Sequence, residues 1–211
     1  GRTNNAYRWA GEVDVYEALA SVERQYRIDP ARIVLRGFSM GGAGAWHLGL
    51  HNPDRWAAVE AGAGFSDTIR YARLKGVPPY HRKALHIYDA VDYSLNAFNV
   101  PVVGYGGEID KQLQASVNIR EALQSGGFPF KKDGLNWKLD RVPQAGEAGL
   151  RAVFLVGPKT AHRFHPESRK RSAAFIREHL SAPQAEPDEL RFVTYTTRYN
   201  RCRWLRVEGL K

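Results

Sequence analysis

The sequence contains little sulfur and no long apolar run. Its 211 residues include one cysteine and one methionine. The single cysteine, Cys202, excludes an internal disulfide framework and a multi-cysteine metal cluster, so the fold must be stabilised by packing. No segment approaches the roughly 20 consecutive apolar residues that span a bilayer, and residues 1–9 lack the apolar core of a signal peptide. We therefore expect no membrane partner, and any targeting segment would precede Gly1; the compartment stays undetermined.

Acidic residues are also in short supply. The chain has 31 Lys and Arg against 22 Asp and Glu, a formal net charge of +9. A positive charge of this size is compatible with nucleic-acid binding, which usually needs a clustered basic patch. Here the arginines are scattered over the whole chain, and the densest basic stretches, near Arg169 and over 198–206, are short. We expect a solvated basic surface and no nucleic-acid partner.

Apolar spacing along the chain predicts alternating strands and helices. Short, continuously apolar runs are typical of strands that are buried on both faces of a parallel sheet, and they occur at 33–35, 56–61, 100–105 and 152–156. Helical spacing or helix boundaries mark the segments 11–26, 41–50, 110–124 and 167–180, and one or two short helices are expected within 66–99. This alternation predicts an α/β fold, a parallel sheet with helices on both faces.

The composition changes after Pro183. The stretch SAPQAEPDE resembles a linker, and residues 191–207 alternate apolar and polar side chains as a β-hairpin does. We predict an α/β domain over 1–182, followed by a linker and a β-hairpin appendage over 183–211.

The stretch GFSMG over 37–41 matches the pattern G-x-S-x-G between a predicted strand and a predicted helix. A nucleophile elbow requires this context, because its serine, here Ser39, lies on a strained turn that exposes the hydroxyl. Glycines on either side avoid clashes in the turn, and Gly42 and Gly44 would let the helix approach the sheet. The N-terminus of the helix supplies the Met40 N–H as an oxyanion donor. The alternative is a glycine-rich turn with an incidental serine.

A nucleophilic serine needs a base, and the base needs an acid that holds its tautomer. The expected chain order is serine, acid, histidine, at the carboxyl ends of later strands. The loop after 100–105 offers Glu108 and Asp110, and the loop after 152–156 offers His162 and His165. The pattern of residues leaves both choices open. Such a site needs neither a metal ion nor an organic cofactor.

Three stretches, GFSMGG, PVVGYGGEID and GPKTAHRFHPES, together resemble the catalytic domain of the prolyl oligopeptidase family and its esterase-like relatives within the α/β-hydrolase fold. The resemblance covers roughly residues 11–180. It implies that Ser39 is the nucleophile, Asp110 the acid and His162 the base of a serine hydrolase that forms an acyl-enzyme. The expected substrate is a small carboxylic ester; cleavage of a peptide, or a non-catalytic binding module derived from a hydrolase, are the alternatives.

The sequence departs from this family before the elbow. In α/β-hydrolases several strands precede the elbow strand, and a loop among them supplies the second oxyanion N–H. Here about thirty residues precede it. We therefore expect an N-terminally incomplete domain, with the elbow strand at a free sheet edge that could pair with a second copy of the chain in a homodimer.

Overall fold

The computed structural model describes residues 5–144, 147–181 and 186–210. The α-helices are α1 (Ala10–Gln25), α2 (Met40–His51), α3 (Thr68–Ala72), α4 (Pro79–Leu85), α5 (Gln114–Ser125) and α6 (Pro166–Ser181). The strands are β1 (Val34–Phe38), β2 (Ala58–Gly62), β3 (Val102–Gly107), β4 (Phe130–Asp133), β5 (Asn136–Leu139), β6 (Ala152–Gly157), β7 (Arg201–Cys202) and β8 (Leu205–Arg206).

The central sheet has six strands in the order β1-β2-β3-β6-β5-β4. The first four strands are parallel, which confirms the predicted α/β fold, whereas β4 and β5 are antiparallel. The sequence prediction omitted this hairpin because its exposed face is rich in lysine and its strands are short. The dipeptide Asp133-Gly134 was the available signal, since Asp-Gly favours a hairpin turn and Gly134 has a φ of 64°.

Helices cover both faces of the sheet, and successive residues of a strand point to opposite sides. Val102 of β3 belongs to the apolar cluster that also contains Trp46 of α2 and Ile119 of α5. The next residue, Val103, belongs to the cluster on the other face, with Ile176 of α6. The predicted placement of helices on both faces is confirmed.

β1 lies at an edge of the sheet and pairs with β2 alone among the described strands. The prediction that this strand is buried on both faces is wrong, since each of its residues is at least partly exposed, whereas β2 and β3 are buried throughout. The physical reason is that β1 pairs with one strand among those described, so its other edge is not covered by a neighbouring strand. Pairing of this edge in a homodimer stays a prediction.

Glycines allow α2 to lie close to the end of β2. A Cβ at Gly42 would collide with the backbone carbonyl groups of Gly62 and Ala63. The same atom at Gly44 would meet the ring of Tyr7 rather than the sheet, and at Gly41 it would meet open space. The predicted close approach of helix and sheet therefore depends on Gly42.

Substituting Gly42→Ala is expected to lower the free energy of unfolding by about 1–3 kcal/mol, because backbone atoms must move to accommodate the methyl group. Gly41→Ala is the matched control in the same helical turn. It is expected to leave stability unchanged or raise it by up to about 1 kcal/mol, because alanine favours the helix and its Cβ meets nothing. Urea denaturation of both variants tests this, and equal midpoints would contradict it.

The C-terminal segment packs against the α/β sheet domain. The Asn96 side chain binds both the N–H and the carbonyl of Val193, at 2.7 and 3.0 Å. Tyr199 is buried, and its hydroxyl donates to Oε2 of Glu12 on α1 at 2.6 Å. The hairpin predicted over 191–207 is limited to β7 and β8, because side chains of the domain bind the backbone of the preceding residues. The predicted domain boundary at 182/183 lies outside the described residues.

Candidate active site

Ser39 occupies the turn between β1 and α2. Its φ and ψ are 59° and −121°, in a region that L residues rarely adopt and that costs strain. The turn is fixed by the Ser39 N–H, which donates to the carbonyl of Gly62 at 2.9 Å. A Cβ at Gly37 would collide with the carbonyl of Gly41. The serine therefore lies on the strained strand-to-helix turn that the sequence predicts.

Met40 is the first residue of α2. The N–H groups of a helix's first turn have no intrahelical acceptor and lie at the positive end of the helix dipole. The Met40 N–H, directly after the serine, lies at this end of the helix.

His162 contacts both of its predicted partners. Its Nε2 lies 2.8 Å from Oγ of Ser39, and its Nδ1 lies 2.8 Å from Oδ2 of Asp110. In the tautomer that suits a carboxylate acceptor, Nδ1 donates to Asp110 and Nε2 accepts the hydrogen of the serine hydroxyl. The Asp110 side chain is 6% exposed and the His162 side chain 43% exposed. The structure thus brings the three residues into one hydrogen-bonded chain that is open to solvent at the histidine.

The second oxygen of Asp110 is bound as well. Oδ1 accepts the N–H of Gln112 at 2.9 Å, which caps the short turn Lys111–Leu113. The side-chain oxygen of Gln112 in turn accepts the N–H of Gly64 at 2.8 Å. Gly64 lies against the carbonyl of Ser39, where a Cβ would not fit. Gln112 therefore ties the loop of the acid to the backbone beside the serine, a link that the sequence analysis missed.

Glu108 and His165, the other candidates, have different contacts. Oε2 of Glu108 accepts the backbone N–H of Lys159 at 2.7 Å, which binds the acid loop to the histidine loop. The backbone N–H of His165 donates to the Tyr105 hydroxyl at 2.8 Å, and its ring does not join the chain of hydrogen bonds. Glu108 and His165 therefore lie outside the hydrogen-bonded chain of Ser39, His162 and Asp110.

Tyr105 of β3 holds the loop that carries His162 through contacts of its hydroxyl and its ring. Its hydroxyl donates to the carbonyl of Arg163 at 2.7 Å and accepts the His165 N–H. Its ring stacks on the ring of Phe164, with 3.9 Å between the ring centroids. Burial raises the pKa of the Tyr105 phenol, so it stays protonated and can donate. Sequence reasoning missed this role, because a tyrosine in an apolar strand is normally a packing residue.

Two further histidines and the cysteine lie outside this hydrogen-bonded chain. His47 and His51 are buried on α2, where Nε2 of His47 lies 2.8 Å from Oε2 of Glu12. Burial lowers the pKa of His51. Burial also raises the pKa of the Cys202 thiol to about 12, so the thiolate that a nucleophile requires does not form near neutral pH. All three side chains are buried in the interior of the fold.

The described part of the chain also bears on metal binding and on membrane insertion. No group of three or more His, Cys, Asp and Glu side chains there has an arrangement that could hold a metal ion. In the same ranges, no helix combines the length and apolar character that crossing a membrane requires.

Comparison with known sequences supports the predicted resemblance. The profile of the prolyl oligopeptidase family matches residues 6–98, which include Ser39 but neither Asp110 nor His162. A protein of Methylorubrum extorquens that carries the provisional name carboxymethylenebutenolidase is 29% identical over 157 residues. The match covers 74% of this chain and 42% of that protein.

Comparison with solved structures identifies the fold. An S-formylglutathione hydrolase from Agrobacterium tumefaciens matches with a TM-score of 0.52 and 20% identity, over 82% of this chain and 57% of that one. A ferulic acid esterase matches with a TM-score of 0.54 and 19% identity, over 82% and 62%. The chain thus spans only about half the length of the relatives it matches. These comparisons confirm the α/β-hydrolase fold and the resemblance of this chain to the prolyl oligopeptidase family and its esterase-like relatives.

Proposed function

We propose that this chain is a serine hydrolase that cleaves carboxylic esters of small molecules through Ser39, His162 and Asp110. The observation that carries the proposal is the chain of two 2.8 Å hydrogen bonds from the serine through the histidine to the carboxylate. It is supported by the strained turn at the serine and by relatives that are hydrolases. A serine hydroxyl with a base and an oriented acid can attack a carbonyl carbon.

In the first half of the proposed reaction, Oγ of Ser39 forms a bond to the carbonyl carbon of the ester while Nε2 of His162 takes the hydroxyl proton. The carbonyl oxygen becomes an oxyanion, to which the Met40 N–H donates. When the carbonyl re-forms, the bond to the alcohol oxygen breaks and His162 returns the proton to it. The products are an alcohol and an acyl group esterified to Ser39.

In the second half, His162 takes a proton from a water molecule, whose oxygen attacks the acyl carbon. Collapse of this intermediate breaks the bond to Oγ of Ser39, and His162 gives the proton back to the serine. Throughout the cycle, Asp110 holds the Nδ1 hydrogen and stabilises the imidazolium that forms twice.

We favour esters over peptides because Met40 is the one oxyanion donor that we assign among the described residues, whereas a complete oxyanion hole has two. Losing one donor of an oxyanion hole typically costs about 10²–10³ in turnover, and esters, with their better leaving group, tolerate that loss more easily than amides. The family match favours the peptidase alternative. An ester and an amide with the same acyl group compare the two directly.

Labelling with a fluorophosphonate tests the proposal, since this reagent reacts with activated serines. Intact-mass analysis of the wild-type chain is expected to show one stoichiometric adduct, and Ser39→Ala to show none. Ser125→Ala, at an exposed serine on α5, is the matched control and should be labelled like the wild type. A folded wild-type chain that takes up no label would contradict the hydrolase proposal and favour a non-catalytic binding module.

A further inference from the structure

A cavity of about 310 Å³ lies beside the loop of the acid, between α5, the start of β5 and the end of β6. Its volume is at the lower end of the range for small-molecule sites, about 300–1,000 Å³. The residues that line it include neither Ser39 nor His162, so it is separate from the candidate active site. Much of its wall is apolar, formed by Leu113, Val117, Leu135 and Trp137.

One wall of the cavity carries the largely buried side chain of Arg120. The Arg120 side chain is 11% exposed and stacks on the ring of Trp137, 4.0 Å from its centroid. Its hydrogen-bond acceptor among the described residues is Oε1 of Gln124 at 2.8 Å, and its carboxylate contact, Glu121, is 3.7 Å away. Burial lowers the pKa of Arg120. This partly buried guanidinium has five N–H donors, of which one is engaged by Gln124, so it can donate to a further anion that reaches it.

A second cation lies on the same side of the cavity. Lys132 is the cross-strand neighbour of Trp137, and its ammonium lies 5.7 Å from the centre of that ring. The acid that lines the cavity, Glu108, is bound through Oε2 to the backbone of Lys159. Among the residues that line the cavity, Arg120 and Lys132 are cations and Glu108 is the acid, so the lining carries a net positive charge.

We propose that this cavity binds an amphipathic monocarboxylate, with its carboxylate on Arg120 and its apolar body against the side chains of Leu113, Val117 and Leu135. A planar guanidinium can bind both oxygens of a carboxylate, which makes it the preferred partner for this group. The cavity volume is sufficient for a ligand of the size of phenylacetate or hexanoate. Because Leu113 ends the turn that Asp110 caps, the bound acid would contact the loop of the candidate active site.

Calorimetric titration of the full chain tests the proposal with phenylacetate and hexanoate as probes. For ligands of about ten non-hydrogen atoms we expect dissociation constants of about 1 mM, within the affinity ceiling for ligands of this size. Phenylacetamide, which has the same shape without the charge, should bind at least tenfold more weakly. The titration is run on Ser39→Ala, so the outcome does not depend on whether the chain is a hydrolase.

Variants locate the binding. Arg120→Gln is expected to weaken phenylacetate binding at least tenfold and Lys132→Gln about threefold. Lys131→Gln is the matched control, because Lys131 precedes Lys132 on β4, points to the other face and pairs with Asp140. Leu135→Glu, in an exposed turn, places a negative charge at the cavity and should also weaken binding at least tenfold.

Any one of three results would overturn the proposal: no binding of either carboxylate at millimolar concentration, equal binding of the amide, or unchanged binding in Leu135→Glu. The last of these decides the matter even if Arg120→Gln fails to fold, since Leu135 is 40% exposed and its replacement leaves the core intact.

Discussion

Replacing His162 with alanine is expected to lower kcat for ester hydrolysis by a factor on the order of 10⁶, the loss typical of removing the base of such a triad. The reason is the geometry at the serine. The acceptor for its proton in the described structure is Nε2 of His162 at 2.8 Å, and a neutral hydroxyl is a poor nucleophile without it. The effect is measured as kcat on an activated ester, with circular dichroism to show that the variant is folded.

His165→Ala is the control for this prediction, in the same loop. The loop is held at this residue by the backbone N–H, which donates to Tyr105 and remains in the variant. We expect kcat to change by less than threefold. Equal losses in the two variants would mean that the loop, rather than the His162 imidazole, carries the effect, and would count against the assignment.

The elbow could be predicted from the sequence because its constraints are local. Only glycine fits at position 37 beside the following turn, and the strand and helix on either side have clear patterns. The choice between Asp110 and Glu108 was different. Both residues follow the same strand two positions apart, and only the path of the loop decides which carboxylate reaches the histidine.

Features that depend on contacts between residues far apart in the sequence were missed, because the local sequence does not encode such contacts. Nothing in the residues around Tyr105 shows that its hydroxyl meets a loop some sixty positions later. The irregular path of residues 191–200 likewise depends on Asn96, about a hundred residues earlier, which binds the backbone where a hairpin was expected. Partial exposure of β1 follows from its position at the sheet edge, which periodicity within the strand does not encode.

Replacing the acid, Asp110, with asparagine is expected to lower kcat for ester hydrolysis by about 10⁴-fold. The side chain keeps its size, and its oxygen can still accept the Gln112 N–H. Its amide now faces Nδ1 of His162, which favours the tautomer with the proton on Nε2. That nitrogen then points a hydrogen at Ser39 and cannot take the serine proton, so the variant stays folded while the chemistry slows. Steady-state kcat and the rate of fluorophosphonate labelling should fall together.

Glu108→Gln tests whether this loss is specific to the acid. Glutamine retains an oxygen that can accept the Lys159 N–H, so the link between the two loops is preserved and kcat should stay within threefold of the wild type. A carboxylate that acts only through local charge would give similar losses at both positions, because Glu108 lies in the same loop. Because the mechanism requires a bond to Nδ1, the large effect belongs to Asp110 alone, and a loss below tenfold in Asp110→Asn would reject its assignment as the acid.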